Sequence, residues 1–440
     1  MADLLLVEAS HGSASEEKVD VPPLGLAYIA SVAEKNGFST EIVDLNLRGT
    51  NLEKGVKKAG LVCVSSYTHN YHRALDILRL AKRFNKTVAI GGPHATPLYK
   101  EVLREGFDYV VRGEGEYPIL NLLKGAMDTH GLAVMEKGQP KANFVARVKD
   151  LDALPFPSRH LLELERYSFP GSIATTRGCA SHCIFCSSRN QSGCLRARGV
   201  ESLKEELTEL HSQGIDRFFV IDPNFAFDKK RTLEFCNAVK GLGMRWFTEL
   251  RLDHMDNDVI KSMGDSGCIV VRFGIESGSQ RIVDLIKKGI SIERLEDVVK
   301  GFRRHGIVPV CGFMIGHPSE TKEDFEMTLR LAKRINTLGG EVTFAIQTPY
   351  PGTYLYNNAE KLGVKILTRD WRDYHHLNPV IETDCFSAEE LRGMLFSALL
   401  EISGKTLPPF EIEDGDETPS MTKLIDGIER RSFRSICLEV

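Results

Sequence analysis

The chain has 440 residues, 42% of them hydrophobic and 26% charged, with a formal net charge of -4. This is an ordinary globular balance in a chain too long for one compact core, so two domains with an appendage are expected. There is no basic field to pair with a phosphate backbone, which argues against a nucleic-acid partner, and no apolar run approaches the roughly 18–20 residues of a membrane span.

Residues 3–9 form a short apolar run. With no basic leader before it, the run reads as a buried first strand and not a secretion signal, which makes the expected compartment the cytoplasm. The ten cysteines then belong to a reducing environment, as metal ligands or buried thiols. Pro22-Pro23 opens a helical apolar pattern that stops at Asn36-Gly37. Strands are predicted near 39–45, 61–67, 87–91 and 108–112, with a helix over 72–85 among the segments between them. This alternation predicts a doubly wound α/β sheet, a Rossmann-like domain. Gly91-Gly92-Pro93 and Gly113-Glu114-Gly115 fall at strand ends, where such sheets bind ligands. The pattern weakens over 126–158, and Leu154-Pro155-Phe156-Pro157 reads as a linker. From 172 it restarts, with strands near 172–178, 217–222, 245–251, 269–276, 308–315 and 341–348. Six β/α steps predict an open, partial (β/α)6 barrel and not a closed one of eight. The expected domains are therefore 1–145, a linker at 146–171, the barrel at 172–365, and a small α-rich C-terminal cap at 366–440 that includes an acidic stretch from Glu411 to Glu417.

The strongest chemical signal is Cys179-x3-Cys183-x2-Cys186, on the loop after the first barrel strand. Three thiolates on one short loop suit three irons of a cubane and leave the fourth iron open to a small molecule. A structural zinc site is the alternative. It needs a fourth ligand, for which Cys194 is available. Cys63, Cys236, Cys268 and Cys311 sit in apolar surroundings and read as core residues. Polar residues at the barrel strand ends are further site candidates: Asp222 after the second strand, Glu249 and Arg251 after the third, Glu276 after the fourth.

The cysteine spacing, with Phe185 just before the last cysteine, resembles the radical S-adenosylmethionine (SAM) superfamily over roughly 170–350. The resemblance implies a [4Fe–4S] cluster on Cys179, Cys183 and Cys186, with SAM chelating the open iron. One-electron reduction would then give a 5′-deoxyadenosyl radical. It also implies that Glu276 takes SAM's ammonium or ribose and Arg251 its carboxylate, with Asp222 and Glu249 nearby. Gln347-Thr348-Pro349-Tyr350-Pro351-Gly352-Thr353 resembles the sixth-strand end of the B12-type subgroup and would border adenine or substrate.

Residues 1–125 resemble the cobalamin-binding domain joined to many radical SAM enzymes. The matching pieces are Pro22-Pro23-Leu24-Gly25-Leu26, Val64-Ser65-Ser66-Tyr67-Thr68, Gly91-Gly92-Pro93-His94 and Arg112-Gly113-Glu114-Gly115-Glu116. Small residues at the strand ends leave a slot for a nucleotide tail: Gly91 and Gly92 allow close backbone approach, and Ser65 and Ser66 offer hydroxyls. The Asp-x-His-x-x-Gly of cobalamin carriers is missing. His11 and His69 are weak candidates for a cobalt ligand, so the lower face is expected to be open or met by the loop from Tyr67 to Asn70.

Together the resemblances imply a cobalamin-dependent radical SAM methyltransferase. It would methylate an unactivated carbon of a small molecule by way of methylcobalamin, using a flavodoxin- or ferredoxin-like electron donor. The alternative is a radical SAM cyclase, dehydratase or rearrangement enzyme in which the first domain has another role. Trp371, Tyr374, His375 and His376 could line the substrate pocket or form a packed aromatic corner.

Overall fold

The computed structural model describes residues 2–10 and 19–403. His11 and the Glu411–Glu417 stretch lie outside them.

The first unit is a seven-stranded sheet in the order β2-β1-β3-β4-β5-β6-β7. Its strands are β1 (Leu4–Glu8), β2 (Thr40–Asp44), β3 (Leu61–Ser65), β4 (Thr87–Gly91), β5 (Tyr109–Val111), β6 (Leu132–Glu136) and β7 (Gln139–Ala142). The first five run parallel and match the strands expected from sequence. β6 and β7 form an antiparallel hairpin on the β5 edge, inside the stretch where the pattern had weakened. β1 shows why the core forms. A parallel strand is covered on both faces and so reads as an unbroken apolar run. Leu5 and Val7 join the core on one side of the sheet, Leu4 and Leu6 the core on the other.

The second unit is an open parallel sheet of β10 (Arg217–Val220), β11 (Arg245–Leu250), β12 (Cys268–Glu276), β13 (Val308–Ile315) and β14 (Glu341–Ile346). The first of the six expected strands, 172–178, pairs with this sheet through a single parallel bridge, Ile173 to Val220. Beyond it, the backbone amides of Thr175 and Thr176 donate to the Asp222 carboxylate, at 2.7 and 3.0 Å, so they do not extend the ladder. The chain then forms a different pair, the antiparallel hairpin of β8 (Thr176–Arg177) and β9 (Arg196–Ala197). After β14 come an antiparallel pair, β15 (Val364–Ile366) and β16 (Ile381–Thr383), and a helix, Ala388–Ser403. Leu391, Leu395 and Ala398 of that helix pack into the barrel core.

The segment between the units is packed against both. Leu151 and Leu154 share an apolar cluster with Leu24, Tyr28 and Val32 of the first unit and Ala174 of the second. The Tyr167 hydroxyl donates to Asp44 at 2.9 Å, and the Ser158 amide donates to the Ala27 carbonyl at 3.0 Å. Glu206, 1% exposed, accepts from Arg159 of the connecting segment at 2.5 Å and from Arg198, which follows β9. No helix among the described residues is long and apolar enough to cross a membrane.

Glu206→Ala would strand two buried guanidinium groups. Breaking a buried ion pair from one side costs about 3–5 kcal/mol, and the urea midpoint of unfolding, followed by fluorescence, should fall accordingly.

Candidate active site

The three cysteines lie on a loop whose neck is the β8–β9 hairpin, with Thr176 opposite Ala197 and Arg177 opposite Arg196. Gly178 follows at φ +83°, and a Cβ there would drive into the Cys194 carbonyl. Glycine is what the tight neck requires. Further along, Ile184 is tied at both backbone atoms. Its amide donates to the Ile286 carbonyl at 3.0 Å, and its carbonyl accepts from Leu355 at 2.9 Å. Its side chain packs with Ile282 and Ile286, and Phe185 lies against them. Cys179, Cys183 and Cys186 are free thiols, each partly buried. Cys194 is exposed at the far end of the loop. Among the described residues, no three His, Cys, Asp or Glu side chains are already gathered closely enough to hold a metal ion.

The donor chemistry nevertheless fits an iron–sulfur cluster. The loop supplies three thiols, and cations stand beside one of them. The Arg251 guanidinium approaches the Cys183 sulfur at 3.9 Å. Burial pushes the Cys183 thiol up, while the charges of Lys288 and Arg251 act the other way. A thiolate-bound anionic cluster is what such cations favour.

The strand-end candidates separate into different environments. Glu276 is buried beside this loop with its carboxylate 2.5 Å from the Lys288 ammonium. It has φ +72° and sits at a register shift between β12 and β13. Such backbone strain in a non-glycine residue is typical of functional positions. Lys288 is held above its ordinary value: burial opposes the charge, and the Glu276 carboxylate and the Cys183 sulfur together outweigh it. Arg251 donates to the Lys288 carbonyl at 2.5 Å and to Asp253 at 3.0 Å. Glu249 is different, half-exposed and loosely paired with Arg272 at 3.4 Å. Asp222 is fully occupied, since besides the two amides it accepts from the Thr175 hydroxyl at 2.5 Å. Its carboxylate ties the base of the cysteine loop to β10, a role the sequence reading did not give it. Two further residues lie beside Glu276. Lys288 follows a helix, where strand-end logic does not look. His317 follows β13, where the same logic reaches it; it is buried, with its Nε2 3.4 Å from the Glu276 carbonyl. Gln347, also buried, follows β14, and its backbone N–H donates to the Ile315 carbonyl at 2.8 Å.

The strand ends of the first unit face the cysteine loop across a cavity of about 1440 Å³. Its walls include Ser65, Tyr67, Gly91, Gly92 and Glu114–Glu116 on one side, and Thr176, Arg177 and Gly178 on the other. It extends between the sheet and the helices Leu24–Lys35 and Glu116–Leu123, past Leu6, Cys63, Ala89 and Ile119. This exceeds the ~300–1,000 Å³ of ordinary small-molecule pockets. One expectation for its lining needs correcting. Ser66 is fully buried and away from the cavity, its hydroxyl donating to the Tyr67 carbonyl at 3.0 Å. Gly92 lines the cavity, but its φ is +105° and a Cβ would strike the Ser66 carbonyl, so the turn itself demands glycine. Gly91 fits the slot argument better, because a Cβ there meets only Val111 at 3.4 Å. His69 is half-buried and stacks on Tyr67 with ring centroids 6.3 Å apart.

Trp371 and Tyr374 form an aromatic corner with His94, which lies 5.2 Å from Trp371, and they do not line this cavity. Burial lowers the His94 imidazole to about 3, so the corner is uncharged. The His376 carbonyl accepts from Ile346 at 2.6 Å, and His375 is half-buried in the adjoining turn.

A parallel sheet with its strand ends turned toward a three-cysteine barrel loop defines an enzyme of two cofactor-binding units. Residues 173–332 match the Radical SAM superfamily and residues 14–123 the B12 binding domain. An uncharacterized methyltransferase of Pyrococcus horikoshii is 34% identical over 407 residues, which cover 86% of this chain and 87% of that protein. The anaerobic magnesium-protoporphyrin IX monomethyl ester cyclase of Rubrivivax gelatinosus is 26% identical, covering 88% of this chain and 74% of its own. The structure of TsrM, a radical SAM methyltransferase from Kitasatospora setae with cobalamin and a [4Fe–4S] cluster bound, superposes with a TM-score of 0.75. The identity there is 16%, over 100% of this chain and 99% of that one. The chain belongs to the radical SAM superfamily and carries a B12 binding domain.

The two glycines should respond differently to substitution. Gly92→Ala forces a β-carbon into a left-handed turn and should lower the melting temperature of the ligand-free protein. Gly91→Leu should leave melting nearly unchanged and reduce the capacity of the cavity, measured as hydroxocobalamin retained after gel filtration.

Proposed function

We propose that this chain is a cobalamin-dependent radical SAM enzyme that methylates an unactivated carbon of a small molecule. The observation that carries the reading is the shared cavity: one volume is bounded both by the strand ends of the B12 binding domain and by Thr176, Arg177 and Gly178 at the base of the cysteine loop. Bound in these places, a cluster with SAM supplies one-electron chemistry at carbon, and cobalamin supplies a methyl carrier.

The chain's own residues then have separate tasks. Cys179, Cys183 and Cys186 hold the cluster. Arg251 and Lys288 place positive charge beside it, and Arg251 takes the carboxylate of SAM in exchange for Asp253, which it now holds. Glu276 accepts a hydrogen bond from the ammonium or ribose of SAM, in the place where it now holds the Lys288 ammonium. Ser65, Tyr67 and Gly91 form the wall against which the corrin and its tail lie. The apolar wall of Leu6, Ala89 and Ile119 keeps water from that tail. Electrons come from an external flavodoxin- or ferredoxin-like protein.

The relationship to the cyclase supports a second reading, radical ring closure without methyl transfer. Product stoichiometry separates the two. Methyl transfer releases S-adenosylhomocysteine and 5′-deoxyadenosine together with each methylated product, whereas cyclisation gives no S-adenosylhomocysteine.

Anaerobic purification with hydroxocobalamin tests the cofactor assignment. The wild type should retain both iron and cobalt. Replacing Cys179, Cys183 and Cys186 together with Ala should remove the iron and spare the cobalt, and a triple variant that keeps its iron would refute the ligand set. Glu276→Gln should keep the cluster and weaken SAM binding tenfold or more, the effect of losing about 1.5 kcal/mol from a hydrogen bond to a charged group. Calorimetry showing unchanged SAM affinity would remove Glu276 from this role.

A further inference from the structure

The sequence motif Arg112-Gly113-Glu114-Gly115-Glu116 resembles part of a cobalamin domain, yet its two carboxylates are spent on the other unit. Glu114 accepts from both terminal nitrogens of Arg196, at 2.7 and 2.9 Å. Glu116 takes Arg177 at 2.7 Å. Arg177 and Arg196 are cross-strand partners in the neck of the cysteine loop, and Arg177 stands two residues before Cys179. Both strands of the neck are therefore gripped from outside the barrel. The grip is buried, with Glu116 3% and Glu114 8% exposed. The Arg177 guanidinium also lies 4.9 Å above the Tyr28 ring.

The carboxylates are rigidly mounted. Gly113 has φ +89° and lies so close to the Ala146 carbonyl that a Cβ would drive into it. A Cβ on Gly115 would come 2.7 Å from Ile29 Cδ1. The Glu114 carboxylate is also tied to the connecting segment by the Val148 amide at 2.5 Å. The same residues, Gly113 through Glu116 with Arg177 and Gly178, line the large cavity. One oxygen of Glu116, Oε2, is buried with no hydrogen-bond partner among the described residues. A buried carboxylate oxygen left in this state has unused acceptor capacity.

We infer that Glu114 and Glu116 are positioning residues, a clamp through which filling of the cavity by cobalamin is transmitted to the neck of the cluster loop. The inference rests on the cofactor reading above. A corrinoid that fills the cavity lies against Glu116, which lines it with Arg177. Its bulk displaces water from the wall that Glu116 shares with Arg177. Pairs in a drier site attract more strongly, so the neck is held more firmly when the cavity is full. Linkage then requires the converse: a cluster that orders the loop must tighten cobalamin binding by the same factor.

The test measures that factor and needs no turnover. The dissociation constant of hydroxocobalamin is determined anaerobically for the full chain with its cluster and for the same protein stripped of iron. The wild type should bind more tightly when cluster-loaded, by about 5-fold or more, the lower bound of ordinary coupling between sites. Glu116→Gln keeps the side-chain shape and removes the charge. It should still bind cobalamin, with a ratio near one. A merely architectural contribution would weaken both forms equally and leave the ratio unchanged. Hydrogen exchange gives an independent measurement: adding hydroxocobalamin to the iron-free wild type should slow exchange over residues 176–197, and the variant should show no such change. A wild-type ratio near one, or a Glu116→Gln ratio equal to that of the wild type, overturns the clamp. If the variant does not fold, the wild-type ratio alone decides. If neither form of the wild type binds cobalamin, it is the assignment of the cavity that fails.

Discussion

The arrangement of this enzyme depends on arginines taken out of water between its two sheets. Arg159, Arg177, Arg196 and Arg198 all lie at the junction, and Glu114, Glu116 and Glu206 answer them. Buried charges are costly, and their attraction offsets the lost hydration only where the geometry is well satisfied. An apolar interface would tolerate sliding. This one does not, because a small shift would pull Arg177 away from Glu116 and Arg196 away from Glu114. The apolar cluster of Leu24, Tyr28, Leu151 and Leu154 contributes area, and the ion pairs fix the register. That register places the strand ends of one domain opposite the cysteine loop of the other.

How much of this was legible in the sequence follows from what each signal reports. The parallel strands were legible because full burial on both faces makes continuous apolar runs, as in Leu61–Ser65 and Thr87–Gly91. The β6–β7 hairpin was not, since Met135 and Glu136 are exposed and Gln139–Ala142 is an edge strand with little to bury. The cysteine loop was legible as a motif, but its neck was not. A two-residue strand such as Thr176–Arg177 has no periodicity, and the partner that holds it, Glu116, is 61 positions away by the numbering of the chain.

The site residues divide along the same line. Glu276 was found because a polar group ending an apolar strand is conspicuous. Asp222 was found by the same rule, and its partners proved to be the amides that end the first barrel strand. The rule detects a buried carboxylate at a strand end without saying whether its acceptors face ligand or backbone. Ser66 shows the converse: a hydroxyl in a matching motif turned inward to build the turn that Gly92 completes. Lys288 was invisible because its charge matters only through Glu276 and Cys183, neither of them its neighbour in sequence.

These observations give a physical reason for joining the two domains in one chain. In the proposed reaction, a cofactor that transfers a group and a cofactor that makes a radical must act on the same carbon, within reach of one another and away from water. Two separate proteins would pay the entropy of association at each encounter. Here the connecting segment is pinned at Tyr167–Asp44 and at Arg159–Glu206, so the cost is met once, on folding. The cavity is then a property of the junction more than of either domain. Leu6, Cys63 and Ala89 form its apolar end inside the first sheet, and Thr176 to Gly178 form its wall at the second. A chain cut between the domains would separate Arg177 from Glu116 and Arg196 from Glu114. The cavity therefore requires the charged interface as directly as it requires the apolar packing of the first sheet.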